Sequence, residues 1–405
     1  PRSVGLVVHG LDPADAERVA KAMLLALGAH SWQAPAFRKE KRPATLKKVE
    51  LFGLPAGVSL QRTLAEIDAA NLVRWLTALP AKKLTATAYR ELLATLATKN
   101  GWDFEWLDEN ALGKLGAGAF LAVSQGNAGR DARIARLRYR PAGTTSQPDL
   151  ALIGKGIIFD TGGTNAKTAT HMLDMHTDLS GSAVALAVLQ VLTTLDASLS
   201  VDCWLAITEN RSGPTACKQR DVITASNGVT VEIIHTDAEG RMVLADTLTL
   251  ATRKTGRGKT SAGPDLVIDF ATLTGSMGYA LGSRYSGVFA TTSELARLAV
   301  AAGEASGERV CVFPLDADYE AGLESKMADI KQCTLDGEAD HILAARFLKR
   351  FTNDLAWVHM DLSASSCSGG LGAVGTDLTG FGVAWGVEFV DQWLAAHAAS
   401  PAPHR

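Results

Sequence analysis

Two stretches of this chain hold the side chains best suited to chemistry. The first is Gly154-Lys155-Gly156-Ile157-Ile158-Phe159-Asp160-Thr161-Gly162-Gly163, followed by Lys167 and Asp178. An apolar run that ends on an acid and breaks into a glycine turn reads as a core strand presenting a ligand-binding group at its carboxyl end. The second is His235-Thr236-Asp237-Ala238-Glu239-Gly240-Arg241, which follows the largely apolar strand pattern of residues 231–234. Read as extended chain, it puts Asp237, Glu239 and Arg241 on one side, because strand side chains alternate. If Asp160, Asp178, Asp237 and Glu239 converge in one crevice, their like charges raise one another's pKa until several protonate. Two divalent cations cancel that charge. Hard oxygen donors suit zinc, manganese or magnesium, and two ions about 3.5 to 4 Å apart would clamp an attacking water and a scissile carbonyl.

Lys155 and Lys167 are unusual beside a metal centre. An amine ligates only when deprotonated, which neighbouring dications favour. Lys155 lies five residues before Asp160, the wrong parity for one face of a regular strand, so a bulge is expected, and Gly154 and Gly156 permit one. Lys167, on the glycine-containing loop, is placed to stay charged and to stabilise a developing oxyanion.

These stretches, with Met175-His176-Thr177-Asp178 and above all Thr236-Asp237-Ala238-Glu239-Gly240-Arg241-Met242-Val243-Leu244-Ala245-Asp246, resemble the signatures of the leucyl aminopeptidase family of dinuclear metallopeptidases. The similarity runs from about Leu60 to the carboxyl end and includes Ala271-Thr272-Leu273-Thr274-Gly275 and Thr379-Gly380-Phe381-Gly382-Val383. The resemblance implies that Lys155, Asp160, Asp178 and Glu239 bind one ion, and Asp160, Asp237 and Glu239 the other. Lys167 and Arg241 match the family's catalytic pair, Lys167 steadying the tetrahedral gem-diolate and Arg241 holding a bicarbonate that acts as general base. Asp178 would also meet the substrate's free amino group, and Met175, Thr272 and Gly275 would line the pocket for its first side chain. The expected activity is removal of amino-terminal residues, apolar ones such as Leu, from peptides by a cytoplasmic homo-hexamer. Two rivals stand beside it: a dipeptidase of the cysteinylglycine type, which would keep every ligand, and a non-catalytic structural or binding relative, for which eroded ligands are expected, whereas none is eroded here.

The chain departs from the family pattern in several places. Its amino-terminal region is short, His235 stands where Asn is usual, Glu209-Asn210-Arg211-Ser212-Gly213-Pro214 only partly keeps a common stretch, and Asp336-Gly337-Glu338-Ala339-Asp340-His341 replaces a Gly/Ala-rich one. Plainer readings also exist for single residues. Lys155 could be a charge on an edge strand, Arg241 could pair with Asp246, and His171 and His176 could be ligands, although the acids and Lys155 already suffice. Gly154-Lys155-Gly156 lacks the spacing of a phosphate loop.

The elements that must position these residues alternate as in an α/β protein, with a mixed, mainly parallel sheet flanked by helices and a small α/β appendage in front. Residues 1–58 form the appendage, with strands at 4–8 and 48–52 and a helix from Pro13, capped by Asp12, to Gly28. Residues 59–80 read as a linking helix and 81–405 as the catalytic domain. There, helices are expected at 87–97, 109–115, 180–194, 242–254, 293–304, 319–327, 342–352 and 381–396. Strands are expected at 102–107, 133–139, 151–159, 201–207, 229–234, 265–270 and 357–360. The 405 residues are 47% hydrophobic and carry a net charge of −3, which leaves no footprint for nucleic acid; Arg38-Lys39-Glu40-Lys41-Arg42 is the one basic knot. Five scattered cysteines without a CxxC pair suit reduced thiols in a cytosol. No apolar run reaches the roughly 18 residues of a membrane span, and Pro1-Arg2-Ser3-Val4 does not open a signal peptide.

Overall fold

In the computed structural model, which describes residues 2–39, 46–129, 131–144, 147–254 and 263–399, the chain opens with β1 (Ser3–Val7), α1 (Pro13–Ser31) and β2 (Lys48–Phe52), the two strands pairing in parallel. Asp12 caps α1 as expected, accepting from the backbone N–H of Ala14 and Asp15. Gly28 does not end that helix, which runs three residues further. A Cβ at Gly28 would lie 2.5 Å from an Ile67 methyl, so the glycine allows the close approach of α2 (Gln61–Thr77). Glu40, Lys41 and Arg42 of the basic knot lie outside the described residues.

The chain continues through α3 (Ala86–Asn100), β3 (Asp103–Leu107), α4 (Glu109–Lys114), α5 (Gly118–Ser124), β4 (Arg133–Tyr139) and β5 (Leu150–Asp160). Next come α6 (Ala169–Met172), α7 (Ser180–Thr194), β6 (Val201–Asn210), β7 (Val222–Thr224), β8 (Thr230–Glu232) and α8 (Glu239–Thr252). The remainder is β9 (Leu266–Ala271), α9 (Gly275–Leu281), β10 (Ser286–Ala290), α10 (Ser293–Ser306), β11 (Val310–Val312), β12 (Ile330–Lys331), α11 (Asp340–Lys349), β13 (Trp357–Asp361) and α12 (Val383–Ala399).

Eight strands form the main sheet in the order β11-β10-β13-β9-β5-β6-β4-β3. The four central strands β13, β9, β5 and β6 are mutually parallel, while β4 and β10 run antiparallel to their inner neighbours. The expected mixed, mainly parallel architecture is therefore present. Both faces are covered. Leu150, Leu152 and Ile158 of β5 join a core with α2, α3, α7, α10 and α12, whereas Ala151, Ile153 and Ile157 join a core with α5, α8 and α11. Lys155 has the parity of this second group, which turns it toward α8. Helices on both faces explain why β5 reads as a continuous apolar run.

Gly154 and Gly156 face α7. A Cβ at Gly154 would sit 2.4 Å from Ser182 Cα, and one at Gly156 would sit 2.9 Å from Ala206 O. The glycines therefore let α7 press against the strand, and its start at Ser180 brings the preceding Asp178 to the sheet. The pairing of β5 with β6 shifts register between Ile157 and Asp160, which is the expected bulge.

Other expectations change. The segment 319–327 is a short 3-10 turn (Ala317–Leu323), and α5, α9, β10 and β11 are additional elements. The helical stretch Ala169–Thr194 is long and apolar enough by composition to span a membrane, contrary to the expectation, but 78% of its most apolar window is buried in the fold, as suits a core helix. All five cysteines are free.

Glu308, in the loop before β11, accepts hydrogen bonds at Oε2 from the N–H groups of Gly382 and Trp385, at the start of α12, at 3.0 and 2.7 Å. Burial pushes its carboxyl up to about 7 despite these bonds and nearby Arg74. A carboxyl raised above its unfolded value contributes stability that is fully present below about 4.5 and lost as pH rises through about 7. The Glu308→Gln variant has no such loss. Thermal melts should therefore show the variant gaining on the wild type from pH 5 to pH 8; a constant difference would rule this account out.

Candidate metal centre

The centre forms where the four central strands end. Asp160 is the last residue of β5, and its Oδ1 accepts from Gly162 N and from Asn210 Nδ2, both at 2.8 Å. Asn210 ends the neighbouring strand β6 and also donates to Thr236 O at 3.0 Å, so one amide ties β5 to the loop bearing Asp237. Thr236 fastens that loop from the other side, donating to Gly162 O at 2.7 Å and accepting from Asn165 N at 2.8 Å. Gly162 and Gly163 have φ of 87° and 67°, the left-handed region that favours glycine. Through that turn the chain returns, Lys167 N donating to Thr161 O at 3.0 Å, and Lys167 meets Asp160.

The two lysines bridge the acids. Lys155 Nζ lies 2.9 Å from both Asp178 Oδ2 and Glu239 Oε1 and donates to Thr272 O at 2.8 Å. Lys167 Nζ lies 2.8 Å from Asp160 Oδ2 and 2.6 Å from Asp237 Oδ1. Thr272 Oγ1, just past β9, donates to Asp178 Oδ1 at 2.6 Å. The acids expected to converge do so: Asp160, Asp237 and Glu239 each offer an oxygen within 4.8 Å of the others, and Lys155 joins Asp178 to Glu239.

Electrostatics follow from this crowding. Burial works against the Lys155 ammonium, yet Asp178, Glu239 and Asp160 together hold its pKa above the usual lysine range. Lys167 is raised in the same way, burial being outweighed by Asp160 and Glu239. Burial, with Glu239 and Asp160 adding, pushes Asp178 up to about 7 against the pull of Lys155. Burial and Asp160 push Glu239 to about 7 and Asp237 to about 6. Two ammonium groups face four carboxylates, and Asp178, Asp237 and Glu239 respond by favouring protons.

Asp178 Oδ2 and Asp237 Oδ1 are buried and have a lysine nitrogen close by, but no hydrogen bond of good geometry. Unspent carboxylate lone pairs, clustered oxygens and an excess of negative charge are what a pair of hard dications requires. The residues therefore fit such ions.

The sequence expectation for the second stretch needs correction. Asp237 lies in a turn and Glu239 opens α8, so Glu239 and Arg241 are two residues apart on a helix and not on one side of a strand. The cause is local: the Asp237 N–H donates to His235 Nδ1 at 3.2 Å and Ala238 N to His235 O at 3.0 Å, which folds the chain before it can extend. Glu239 then points to Lys155, while Arg241 donates from Nη1 to Gln332 O at 2.9 Å and from Nη2 to Asp340 Oδ1 at 2.7 Å. Asp246 is not the partner of Arg241. It accepts from Phe120 N and Ser226 N, holding α5 against α8. Lys155 is buried in a central strand, so it is no edge charge.

Lys155, Asp160, Lys167, Met175, Asp178, Asp237, Glu239, Arg241, Thr272 and Gly275 all line one open cleft of about 890 Å³. His171 lines it too, but its Nδ1 lies 3.2 Å from Thr168 Oγ1, and neither His171 nor His176 belongs to the acid cluster. Sequence reasoning missed Asn210, Thr236, Gln332, Asp340 and Asp361. Asp361, at the end of β13, accepts from Leu273 N and Thr274 Oγ1 at 2.9 and 2.7 Å and so shapes the loop that carries Thr272 and Gly275.

The pattern that defines the cytosol aminopeptidase family's catalytic domain matches residues 71–386, which contain every residue of this centre. The chain belongs to the cytosol aminopeptidase family. A probable cytosol aminopeptidase of Methylorubrum populi is 38% identical over 335 residues, 82% of this chain and 64% of that protein. One of Methylorubrum extorquens is 34% identical over 98% of this chain and 78% of its own length. Against the first of these, the match spans a little under two thirds of the relative's length. Among solved structures, the bottromycin maturation enzyme BotP in complex with Mn superposes with a TM-score of 0.85 at 32% identity, covering 97% of this chain and 84% of that one. The chain's mixed α/β fold is shared with that solved structure.

Proposed function

We propose that this chain is a metal-dependent aminopeptidase that hydrolyses the amino-terminal residue, Leu or another apolar one, from peptides. The observation that carries the reading is the meeting of Lys155, Asp160, Asp178, Asp237 and Glu239 at the ends of parallel strands, with two of the carboxylate oxygens lacking a well-directed donor. In this reading Lys155, Asp160, Asp178 and Glu239 hold one ion and Asp160, Asp237 and Glu239 the other, zinc or manganese, with magnesium a third candidate. When bound, such ions supply charge neutralisation, polarise a carbonyl and make water nucleophilic near neutral pH.

The protein's own residues do the rest. Asp178 accepts a hydrogen bond from the substrate's amino group, which fixes the end of the peptide. Lys167, charged and flanked by Asp160 and Asp237, stabilises the oxyanion that develops on the scissile carbonyl. Met175, Thr272 and Gly275 line the pocket for the first side chain, where the missing Cβ of Gly275 leaves room: nothing lies within 4 Å of the position it would take. Arg241 and Lys167 form the catalytic pair. Bicarbonate, which the resemblance assigns to Arg241, meets a guanidinium whose Nη1 and Nη2 already have acceptors. We further read residues 1–58 as an appendage, 59–80 as a linking helix and 81–405 as the catalytic domain of a cytoplasmic homo-hexamer, on the strength of the family resemblance.

Hydrolysis of aminoacyl p-nitroanilides and of dipeptides, cysteinylglycine included, tests this reading. The expected result is Leu and Met amide hydrolysis that falls by about 100-fold or more in chelator, a loss of the several kcal/mol that metal ions contribute to such chemistry, and returns with Mn. Activity that survived complete metal removal would refute it, and a preference for cysteinylglycine alone would move the assignment to a dipeptidase.

A further inference from the structure

Arg241 is fixed more firmly than anion capture from solvent requires. It is the third residue of α8 and is buried, and Gln332, whose backbone oxygen it meets, is itself held by donating from Nε2 to Ala238 O and accepting from Ile234 N at Oε1. Its Nη2 is paired with Asp340 Oδ1 at 2.7 Å. Asp340 opens α11, directly after Ala339, whose φ of 50° lies in the left-handed region. A non-glycine residue held there stores backbone strain and persists only where its surroundings impose it. The surroundings here are clear: His341 N and Ile342 N donate to Ser276 Oγ and Ala339 O at 3.0 and 2.8 Å, locking the turn against α9. The strained turn therefore delivers a carboxylate to the guanidinium.

Only one oxygen of that carboxylate is engaged. Among the described residues Asp340 Oδ2 has no hydrogen-bond donor, and Asp340 lines the same cleft as Asp160, Asp237, Lys167 and Arg241. Arg241 Nε likewise has no acceptor. A second anion brought to this guanidinium would face both Asp340 and the nearby charge of Glu239 in a semi-enclosed site, where like charges repel strongly.

Building on the aminopeptidase reading, we propose that Asp340 is the proton acceptor of the reaction, a built-in carboxylate on Arg241 that makes bicarbonate unnecessary. As the water oxygen bonds to the peptide carbonyl carbon, its proton passes to Asp340 Oδ2. When the C–N bond breaks, the departing amine nitrogen takes that proton and Asp340 returns to its carboxylate. Nothing beyond water and peptide is consumed. Arg241 keeps the acceptor oriented through the Nη2–Oδ1 hydrogen bond.

The test compares wild type, Asp340→Ala and Asp340→Asn as Mn-loaded proteins in carbon dioxide-free buffer, with leucine p-nitroanilide and with or without added bicarbonate. General acid–base groups contribute about 10²–10⁴-fold, so both variants should lose at least about 100-fold in kcat. KM should change little. Wild-type turnover should ignore bicarbonate. Asp340→Ala should regain activity with bicarbonate or formate, which fit the space left by the side chain, whereas Asp340→Asn, which fills it, should not. In a second readout, ¹³C-bicarbonate NMR should show line broadening with Asp340→Ala and none with wild type. Broadening or stimulation of the wild type by bicarbonate would overturn the proposal, as would full kcat in the Asn variant, whose near-isosteric side chain guards against a folding artefact. Wild type inactive on every amide would instead sink the aminopeptidase reading, and the NMR comparison would still decide whether Asp340 occupies the anion position.

Discussion

Replacing Lys155 by methionine should destabilise the metal-free protein by about 3–5 kcal/mol, the usual cost of removing one partner from a buried ion pair. The ammonium lies 2.9 Å from two carboxylates, Asp178 Oδ2 and Glu239 Oε1, and all three side chains are almost fully enclosed. Methionine is of similar length and fills the space, so packing changes little while two acids lose their counter-charge. Divalent cations should return much of the loss, because ligands that bind only the folded state stabilise it by mass action, about 2.7 kcal/mol for each site at 100 times its Kd. Urea unfolding in chelator and in excess Mn measures both halves. A variant as stable as wild type in chelator would mean that Lys155 carries no structural charge, and a deficit untouched by Mn would mean that no ion takes its place.

What the sequence made legible, and what it hid, follows from the range of the forces involved. The candidate ligands of β5 could be read locally, since an apolar run ending in Asp160 and a glycine turn is specified by neighbours in the chain. Even the bulge between Ile157 and Asp160 was visible, because the parity of Lys155 and Asp160 demanded it. The alternation assigned to Asp237, Glu239 and Arg241 failed for a similarly local reason that was overlooked: His235 accepts the Asp237 N–H and turns the backbone into α8. Glu239 at a helix start also gains from the positive end of the helix dipole. Short strands such as β10 and β11 and the seven-residue helices α5 and α9 left too few residues for a periodic signal. Asn210 and Asp361 act across strands distant in sequence, and no spacing rule points to them. Asp340 was noticed only as part of a departure from the family pattern; its meeting with Arg241, 99 residues away, is a product of tertiary packing.

Asp160→Asn should behave in the opposite way to Lys155→Met. Asp160 sits at the middle of the cluster, accepting from Gly162 N and Asn210 Nδ2 at Oδ1 and facing Lys167 at Oδ2. Asparagine can keep both bonds at Oδ1, but its amide N–H groups would then oppose the Lys167 ammonium, donor against donor. That local cost is set against a gain, since Asp160 is a like charge to Glu239 and Asp237 and raises the pKa of both. With the two terms opposed, the stability of the metal-free variant should stay within about 1 kcal/mol of wild type, the common size of a point-mutant effect. Hydrolysis should fall far more. As one of the two acids, with Glu239, shared by both proposed ion sites, Asp160 supplies charge that neither Asp178 nor Asp237 can replace, and loss of one ion forfeits its share of transition-state stabilisation. A deficit of about 4 kcal/mol corresponds to a drop of about 10³-fold in kcat/KM. Equilibrium dialysis with Mn should show bound metal falling in step. If the variant kept more than a tenth of wild-type turnover with two ions still bound, the chemistry would have to lie elsewhere in the cleft. The two substitutions thus separate roles that a single knockout would confuse: the proposed part of Lys155 as counter-charge to the acids in the metal-free protein, and the proposed part of Asp160 in holding the ions.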